Sequence, residues 1–89
     1  MLIALIARDK PGALQTRLDN RSAHLAYIEE TGVVSQAGPL LDGDSMIGSL
    51  IILDVEDLAA AQSWADSDPY AKAGLFQSVE LIAWKKVIG

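Results

Sequence analysis

The strongest indication of the fold is Met1–Ala7, which reads MLIALIA and is followed at once by the charged segment Arg8–Lys10. A short, continuous apolar run that ends in charged residues is typical of a strand buried on both faces, and such strands lie in the centre of a sheet. A second run of this kind, Leu50–Leu53, lies inside the predicted strand Met46–Val55. Because both strands are apolar in every register, we expect both faces of their sheet to be covered.

Two helical segments accompany these strands. Between residues 13 and 31, four apolar residues recur at helical spacing: Leu14, Leu18, Leu25 and Ile28. Gly32 follows as the expected stop signal. We therefore expect a first helix that packs through this apolar stripe. Asp54 is predicted to cap a second helix that starts near Val55 and ends near Asp66.

The remaining segments predict two more strands and a short helix or turn. Val33–Leu41 indicates a strand with a bulge or bend at Gly38-Pro39, and Asp42-Gly43 predicts a tight turn into the next strand. In Asp68–Gly74 the aspartate is placed to cap a short helix, the proline stands at its first position, and the glycine stops it. Phe76–Val87 is predicted to close the chain as a strand.

The order of these elements predicts one α+β domain over residues 1–89. Strand, helix, strand, strand, helix, strand, with right-handed crossovers, is the ferredoxin-like βαββαβ fold, a four-stranded antiparallel sheet with two helices on one face. Two helices leave the other face open, although the central strands are apolar on both sides. The economical cover is the same face of a second subunit, so we expect a homodimer.

Composition narrows the classes of function. The formal net charge of −5 and the pI of about 4.5 disfavour binding to nucleic acid or to an anionic membrane surface. There is no cysteine and only one histidine, so a protein-built metal site is not expected. The glycines form no phosphate-binding loop, and we predict no cofactor. No apolar run is long enough to span a bilayer, which makes the cytoplasm the expected location.

His24, the sole histidine, lies at the edge of the apolar stripe on a ridge with Arg17 and Arg21. A half-buried imidazole there can titrate, or it can simply be satisfied by a backbone carbonyl or water. Arg21 suits an anionic substrate group, whereas for Arg17 we expect a solvated helix edge paired with an acidic residue. Asp68 looks like a helix cap, yet the fold brings its segment to the same end of the molecule as His24. If the two meet, the carboxylate would orient the imidazole for acid–base catalysis.

Two aromatic residues, Tyr70 and Trp84, are candidates for the wall of a substrate pocket. Large aromatic side chains near a subunit boundary more often serve packing alone.

The segments Arg21–Tyr27, Gly38–Leu40 and Asp68–Leu75, together with Trp84, resemble the YciI-like (YCII-related) family over essentially the whole chain. The resemblance implies a dimeric α+β barrel with ferredoxin-like subunits. It also implies that His24 and Asp68 line an active site.

Three functions remain open at this point. The resemblance favours a cofactor-independent lyase or isomerase acting on a small cyclic or enolisable molecule, with His24 moving a proton, Asp68 orienting it and Arg21 holding a substrate anion. The alternative is a non-catalytic dimer that binds a small molecule or serves as an accessory protein. The third hypothesis, a purely structural scaffold, needs no pocket and leaves the concentration of motif residues at one end of the fold without a purpose.

Overall fold

A four-stranded antiparallel sheet forms the base of the computed structural model, which describes residues 1–89. Its strands are β1 (Leu2–Asp9), β2 (Val34–Asp42), β3 (Ser45–Asp54) and β4 (Phe76–Ala83), and their order in the sheet is β2-β3-β1-β4. The two apolar runs thus form the adjacent central strands, where each has a hydrogen-bonded neighbour on both sides. The predicted ferredoxin-like topology is confirmed.

Three helices lie on one face of this sheet: α1 (Leu14–Thr31), α2 (Leu58–Ser67) and α3 (Pro69–Lys72). The Asp68 side chain caps α3, as the sequence predicts, but the predicted cap of α2 at Asp54 is wrong. Asp54 is the last residue of β3, and its backbone N–H donates to the Val33 carbonyl at 2.7 Å. Asp57 caps α2 instead, accepting the backbone N–H of Ala60 at 2.8 Å. None of the three helices has the length and hydropathy of a membrane-spanning segment.

Two details of the outer strands differ from the sequence prediction. The register of β2 shifts between Val34 and Gln36 and again between Leu40 and Leu41, whereas Gly38 and Pro39 pair regularly with β3. The fourth strand ends at Ala83 and does not reach Val87. The hairpin between β2 and β3 turns at residues 43 and 44, where Gly43 has a φ of +59°, a left-handed conformation that glycine adopts without steric cost.

The apolar core lies between α2 and the two central strands. Its largest fully buried side chains on the sheet are Ile3, Leu5, Ile51 and Leu53, and α2 contributes Ala61, Trp64 and Ala65. Burial of each large aliphatic side chain stabilises the fold by about 1.5–3 kcal/mol. This part of the helix layer is therefore held by ordinary apolar packing.

The first helix is rotated relative to the sequence prediction. Leu14, Leu18 and Leu25 are between 46 and 49% exposed, whereas Arg17 and His24 are only 3 and 6% exposed. Buried charged or titratable side chains persist only where partners compensate their lost hydration. Such partners lie beneath α1, and they determine which face of the helix turns inward.

The sheet face opposite the helices carries apolar side chains that no element of the chain covers. Ile6 lies opposite Leu50 and Ala4 lies opposite Ile82, and antiparallel partners point to the same face. Leu50 is 40% and Ile82 51% exposed.

Candidate active site

A cavity of about 190 Å³ lies between α1 and the strands β2 and β3. Its lining consists of Arg17, Arg21, His24, Leu25, Ile28, Ala37, Gly38, Pro39, Met46, Ser49, Ile51 and Tyr70. The cavity exists because the inward face of α1 is polar there and does not close onto the sheet as α2 does. Apolar side chains form half of the wall, and charged or hydroxyl-bearing side chains are concentrated on the α1 side.

His24 and Asp68 meet at one end of the cavity. His24 Nδ1 lies 2.7 Å from Asp68 Oδ1, and both side chains are buried. The same carboxylate oxygen accepts the backbone N–H of Tyr70 at 3.0 Å, so Asp68 caps α3 and contacts His24 at once. The sequence left the cap and the histidine partner as separate interpretations of Asp68, and the geometry accommodates both.

The contact with Asp68 defines how the imidazole is presented. A carboxylate only accepts hydrogen bonds, so the proton of a neutral His24 belongs on Nδ1. Nε2 has no protein partner and is not enclosed by protein atoms, and His24 lines the cavity. A neutral His24 therefore turns a lone pair on Nε2 toward any bound molecule, the arrangement that proton abstraction requires.

Asp68 is fully buried, and its second oxygen, Oδ2, has no hydrogen-bond partner. The contacts of Oδ1 with His24 and with the Tyr70 backbone N–H are the ones that compensate the lost hydration of this carboxylate. Asp68 thus holds the His24 ring in a fixed orientation.

Tyr70 packs against the other polar residues of the site. Its ring stacks on the His24 imidazole with centroids 3.9 Å apart and planes 11° apart, and the Arg17 guanidinium carbon lies 4.8 Å from its centroid. Burial raises the pKa of Tyr70 above the ordinary 10.0, against the opposing charges of Arg17 and Arg21. Tyr70 therefore stays a neutral wall of the cavity at physiological pH.

Arg17 is buried, which contradicts the solvated position expected for it. Its Nε donates to Asp9 Oδ2 at 2.7 Å, and its Nη2 donates both to Asp9 Oδ1 and to Ser49 Oγ at 2.9 Å. Burial alone would lower the pKa of Arg17, but the hydrogen bonds and charge of Asp9 outweigh burial and raise it. The expected acidic partner is present, and it holds a charged guanidinium inside the protein.

The other two predicted substrate-binding residues occupy different places. Arg21 lines the cavity, is exposed, and forms no ion pair with any carboxylate. Trp84 follows β4 and does not line the cavity; its backbone N–H donates to the Leu2 carbonyl, at the end of β1 opposite Asp9. Within one chain, Arg21 but not Trp84 can touch a molecule bound beside His24.

Sequence reasoning missed Asp9 and Ser49. Ser49 alternates with Ile51 and Leu53 on the helix-facing side of β3, so a lone hydroxyl in that apolar series was the signal for a polar partner overhead. Asp9 carried no comparable signal, because a charged residue after a buried strand ordinarily marks the strand's exit into solvent.

The comparisons with known proteins agree with this architecture. Residues 1–85 match the YCII-related domain family. The chain is 40% identical to Protein YciI of Escherichia coli O6:H1, an alignment covering 98% of this chain and 99% of that protein.

Two solved structures extend the comparison. The 5-chloro-2-hydroxyhydroquinone dehydrochlorinase from Burkholderia phenoliruptrix AC1100, in complex with 2,5-dihydroxybenzoquinone, superposes with a TM-score of 0.86 at 37% identity, covering 96% of this chain and 94% of that one. An antibiotic biosynthesis monooxygenase superposes with a TM-score of 0.58 over 97% of this chain and 100% of its own, and at 14% identity it shows the fold alone. The chain shares its fold with the dimeric α+β barrel proteins and belongs to the YciI-like, or YCII-related, family.

Proposed function

We propose that this protein is a cofactor-independent acid–base enzyme of the lyase or isomerase type that acts on a small cyclic or enolisable molecule. The observation that carries the proposal is the pairing of His24 with Asp68, which leaves His24 Nε2 unpartnered in a cavity. A buried carboxylate behind an imidazole is the usual device for fixing its tautomer and stabilising its protonated form.

In the proposed reaction, Nε2 of neutral His24 takes a proton from a substrate carbon next to a carbonyl group. The electron pair of the broken C–H bond forms a carbon–carbon double bond, and the carbonyl oxygen becomes an enolate. In an elimination, these electrons then expel a leaving group from the adjacent carbon, and the group departs with its bonding pair. In an isomerisation, protonated His24 returns the proton to a different carbon.

The size and lining of the cavity support a substrate with a single ring. A cavity of about 150 Å³ is enough to accommodate benzene, and the present one measures about 190 Å³. Arg21 holds an acidic oxygen of the substrate, and Tyr70 packs against it. The similar dehydrochlorinase, which was crystallised with 2,5-dihydroxybenzoquinone, favours a ring that bears oxygen substituents.

We also propose that the protein works as a homodimer in the cytoplasm. The exposed apolar side chains on the open face, Leu50 and Ile82 among them, support a second subunit as its cover. Sedimentation equilibrium should give twice the 9.5 kDa mass of the chain, and Leu50→Glu should return it to the monomer mass. A monomeric wild type would contradict the dimer.

The elimination is tested with 5-chloro-2-hydroxyhydroquinone, by measuring chloride release. This triol reacts through the keto tautomer in which the chlorine-bearing carbon has gained a proton from the neighbouring hydroxyl group. His24 then takes the proton of the hydroxyl group para to the new carbonyl, the O–H electrons form a second carbonyl, the ring double bond shifts to the chlorine-bearing carbon, and chloride leaves with its bonding pair. We expect turnover by the wild type and a loss of at least about 100-fold in kcat for His24→Gln, the scale on which a general base contributes. Asp68→Asn should also lose turnover but keep α3, because asparagine caps helices as well as aspartate does. Nitrogen-15 chemical shifts of the single imidazole would show the change in its tautomer.

Asp66→Asn is the matched control, because Asp66 is exposed on α2 and bonds only to Gln62. It should leave turnover unchanged. The alternative function, a non-catalytic binding or accessory dimer, predicts that the wild type binds ring compounds without turnover and that His24→Gln binds them equally well. That pair of results would replace the enzyme hypothesis.

A further inference from the structure

We propose that the molecule bound in the cavity is an anion, and that Arg17 selects it through one edge of its guanidinium while Asp9 and Ser49 hold that guanidinium in place. This inference rests on the proposed function, since it names the substrate class of the same site. It assigns roles to two residues, Asp9 and Ser49, for which the acid–base chemistry has no use.

The charge of the cavity wall is the first observation. The chain has 12 acidic and only 7 basic residues, yet no aspartate or glutamate lines the cavity, and two of the three arginines do. Arg21 has no carboxylate partner. Asp9 compensates the charge of Arg17 from outside the cavity, so Arg21 is the uncompensated cation of the wall, and its charge favours a negatively charged ligand.

The hydrogen bonds of Arg17 are the second observation. A guanidinium has five N–H groups, of which Nε and Nη2 together carry three. Those three donate to Asp9 and Ser49, which leaves the two on Nη1. Nη1 donates to neither Asp9 nor Ser49, and the Arg17 side chain also interacts with the Tyr70 hydroxyl, which helps to raise the pKa of Arg17. Nη1 is not enclosed by protein atoms, although Arg17 as a whole is 3% exposed. The free edge therefore faces the space that remains, which is the cavity that Arg17 lines.

The hydrogen bonds from Arg17 to Asp9 and Ser49 give Nη1 a fixed direction. Asp9 grips Arg17 through both carboxylate oxygens and does not line this cavity, so a bound molecule meets the guanidinium and not its counter-ion. Ser49 accepts from Nη2 and lines the cavity, and its own hydroxyl proton remains to be donated. Asp9 and Ser49 are thus positioning residues for Arg17, because they fix the planar guanidinium through Nε and Nη2 and leave Nη1 as a donor of defined direction.

The rest of the wall defines the neutral part of the ligand. Leu25, Ile28, Met46 and Ile51 supply part of the apolar wall of the cavity. Tyr70 contacts both Arg17 and His24, which are two turns apart on α1. The ligand that fits is a ring with an ionised oxygen, such as an enolate, phenolate or carboxylate, at the Arg17 end and its reacting carbon at the His24 end.

The test compares two probes of one ring by isothermal titration calorimetry: 2,5-dihydroxybenzoquinone, whose acidic hydroxyls ionise, and its neutral dimethyl ether. We expect the wild type to bind the anion at least about 10-fold more tightly than the ether. Arg17→Lys should lose most of that preference, because one ammonium group cannot bind Asp9 and Ser49 and also keep a donor fixed in the cavity. Ser49→Ala should reduce the preference by a smaller factor. The ratio of the two affinities is the readout, because a merely structural defect would weaken both probes alike.

Arg8→Lys is the matched control, since Arg8 is an exposed arginine that does not line the cavity, and it should leave the ratio unchanged. Equal binding of both probes by the wild type, failure of the wild type to bind the anion, or an unchanged ratio in Arg17→Lys would each overturn the inference.

Failure of the inference and failure of the proposed function give different results. Anion preference that depends on Arg17, without any turnover, would sustain the inference and remove the enzyme. Turnover that depends on His24, with no anion preference, would sustain the enzyme and remove the inference.

Discussion

The two long helices cover the sheet with opposite chemistry. α2 turns Ala61, Trp64 and Ala65 inward, and their contacts with the central strands leave no space between helix and sheet. α1 turns Arg17 and His24 inward and leaves three leucines at the surface, and a cavity remains beneath it. Burial of those leucines would have stabilised the fold by a few kcal/mol each. At the cavity, α1 therefore exchanges apolar burial for polar contacts, while Tyr27 and Ile28 nearer its C-terminus still pack against the core.

The border between the two regions is itself hydrogen-bonded. The Tyr27 hydroxyl donates to the Trp64 carbonyl at 2.8 Å, and Trp64 Nε1 donates to Thr31 Oγ1 at 2.9 Å. These bonds tie the C-terminal half of α1 to α2 and so hold the position of His24 relative to the packed core. The rigid region thereby supports the region that carries the cavity.

The largest expected effect is on the packed side. Trp64→Ala should lower the free energy of unfolding by about 3–5 kcal/mol, since it removes a large buried side chain and leaves a void. Urea unfolding followed by circular dichroism, at one fixed protomer concentration, measures the change. Leu58→Ala is the control on the same helix: Leu58 is 49% exposed, and its loss should cost no more than about 0.5 kcal/mol. Similar costs for the two variants would show that α2 does not pack as described.

The second expected effect is on the α1 side, where stability depends on the ion pair between Arg17 and Asp9 and not on apolar packing. Arg17→Met leaves the Asp9 carboxylate without its counter-ion and should lower the free energy of unfolding by about 3 kcal/mol. This is the lower end of the range for a broken buried ion pair, because water can enter the adjacent cavity. The double variant Asp9→Asn/Arg17→Met should be more stable than the Arg17→Met single variant, since no uncompensated charge remains. A double-mutant cycle in urea tests this, and additive effects of the two single changes would refute a charge-based account of α1.

The smallest effect is a dependence of stability on alkaline pH. Burial raises the pKa of Tyr70 in the folded protein above the ordinary 10.0. The folded state therefore holds its phenolic proton at pH values where the unfolded chain has lost it, so this stabilisation is complete below about pH 10 and disappears as the pH rises further. Thermal unfolding between pH 8 and pH 11 should show a shallower decline in Tyr70→Phe than in the wild type. Identical slopes would mean that the burial of Tyr70 is not coupled to stability.

The sequence predicts those parts of the site that depend on neighbouring residues, and it fails for those that depend on residues far apart in the chain. Asp68 before Pro69 is recognisable as a cap because capping involves neighbouring residues. The orientation of α1 depends on Asp9, Ser49 and Asp68, which come from three other parts of the chain. Helical periodicity considers only the residues of the helix itself, so it predicted that the leucines face inward and could not take these distant partners into account. Trp84 was predicted as a pocket wall because it is a large aromatic residue, and β4 places it at the end of the sheet away from the cavity.

Local sequence signals were enough to predict the fold. Continuous apolar runs at β1 and β3, the turn after Asp42 and the glycine stop of α1 act locally or through simple burial, and they specify a ferredoxin-like sheet with its helices on one side. Two features depend on contacts between distant segments. The pairing of β3 extends through Asp54 and leaves Asp57 to cap α2, and the buried face of α1 is set by its polar partners. The reason is energetic: Arg17 and His24 can leave water only where specific carboxylates meet them, and those contacts come into being when distant segments pack together.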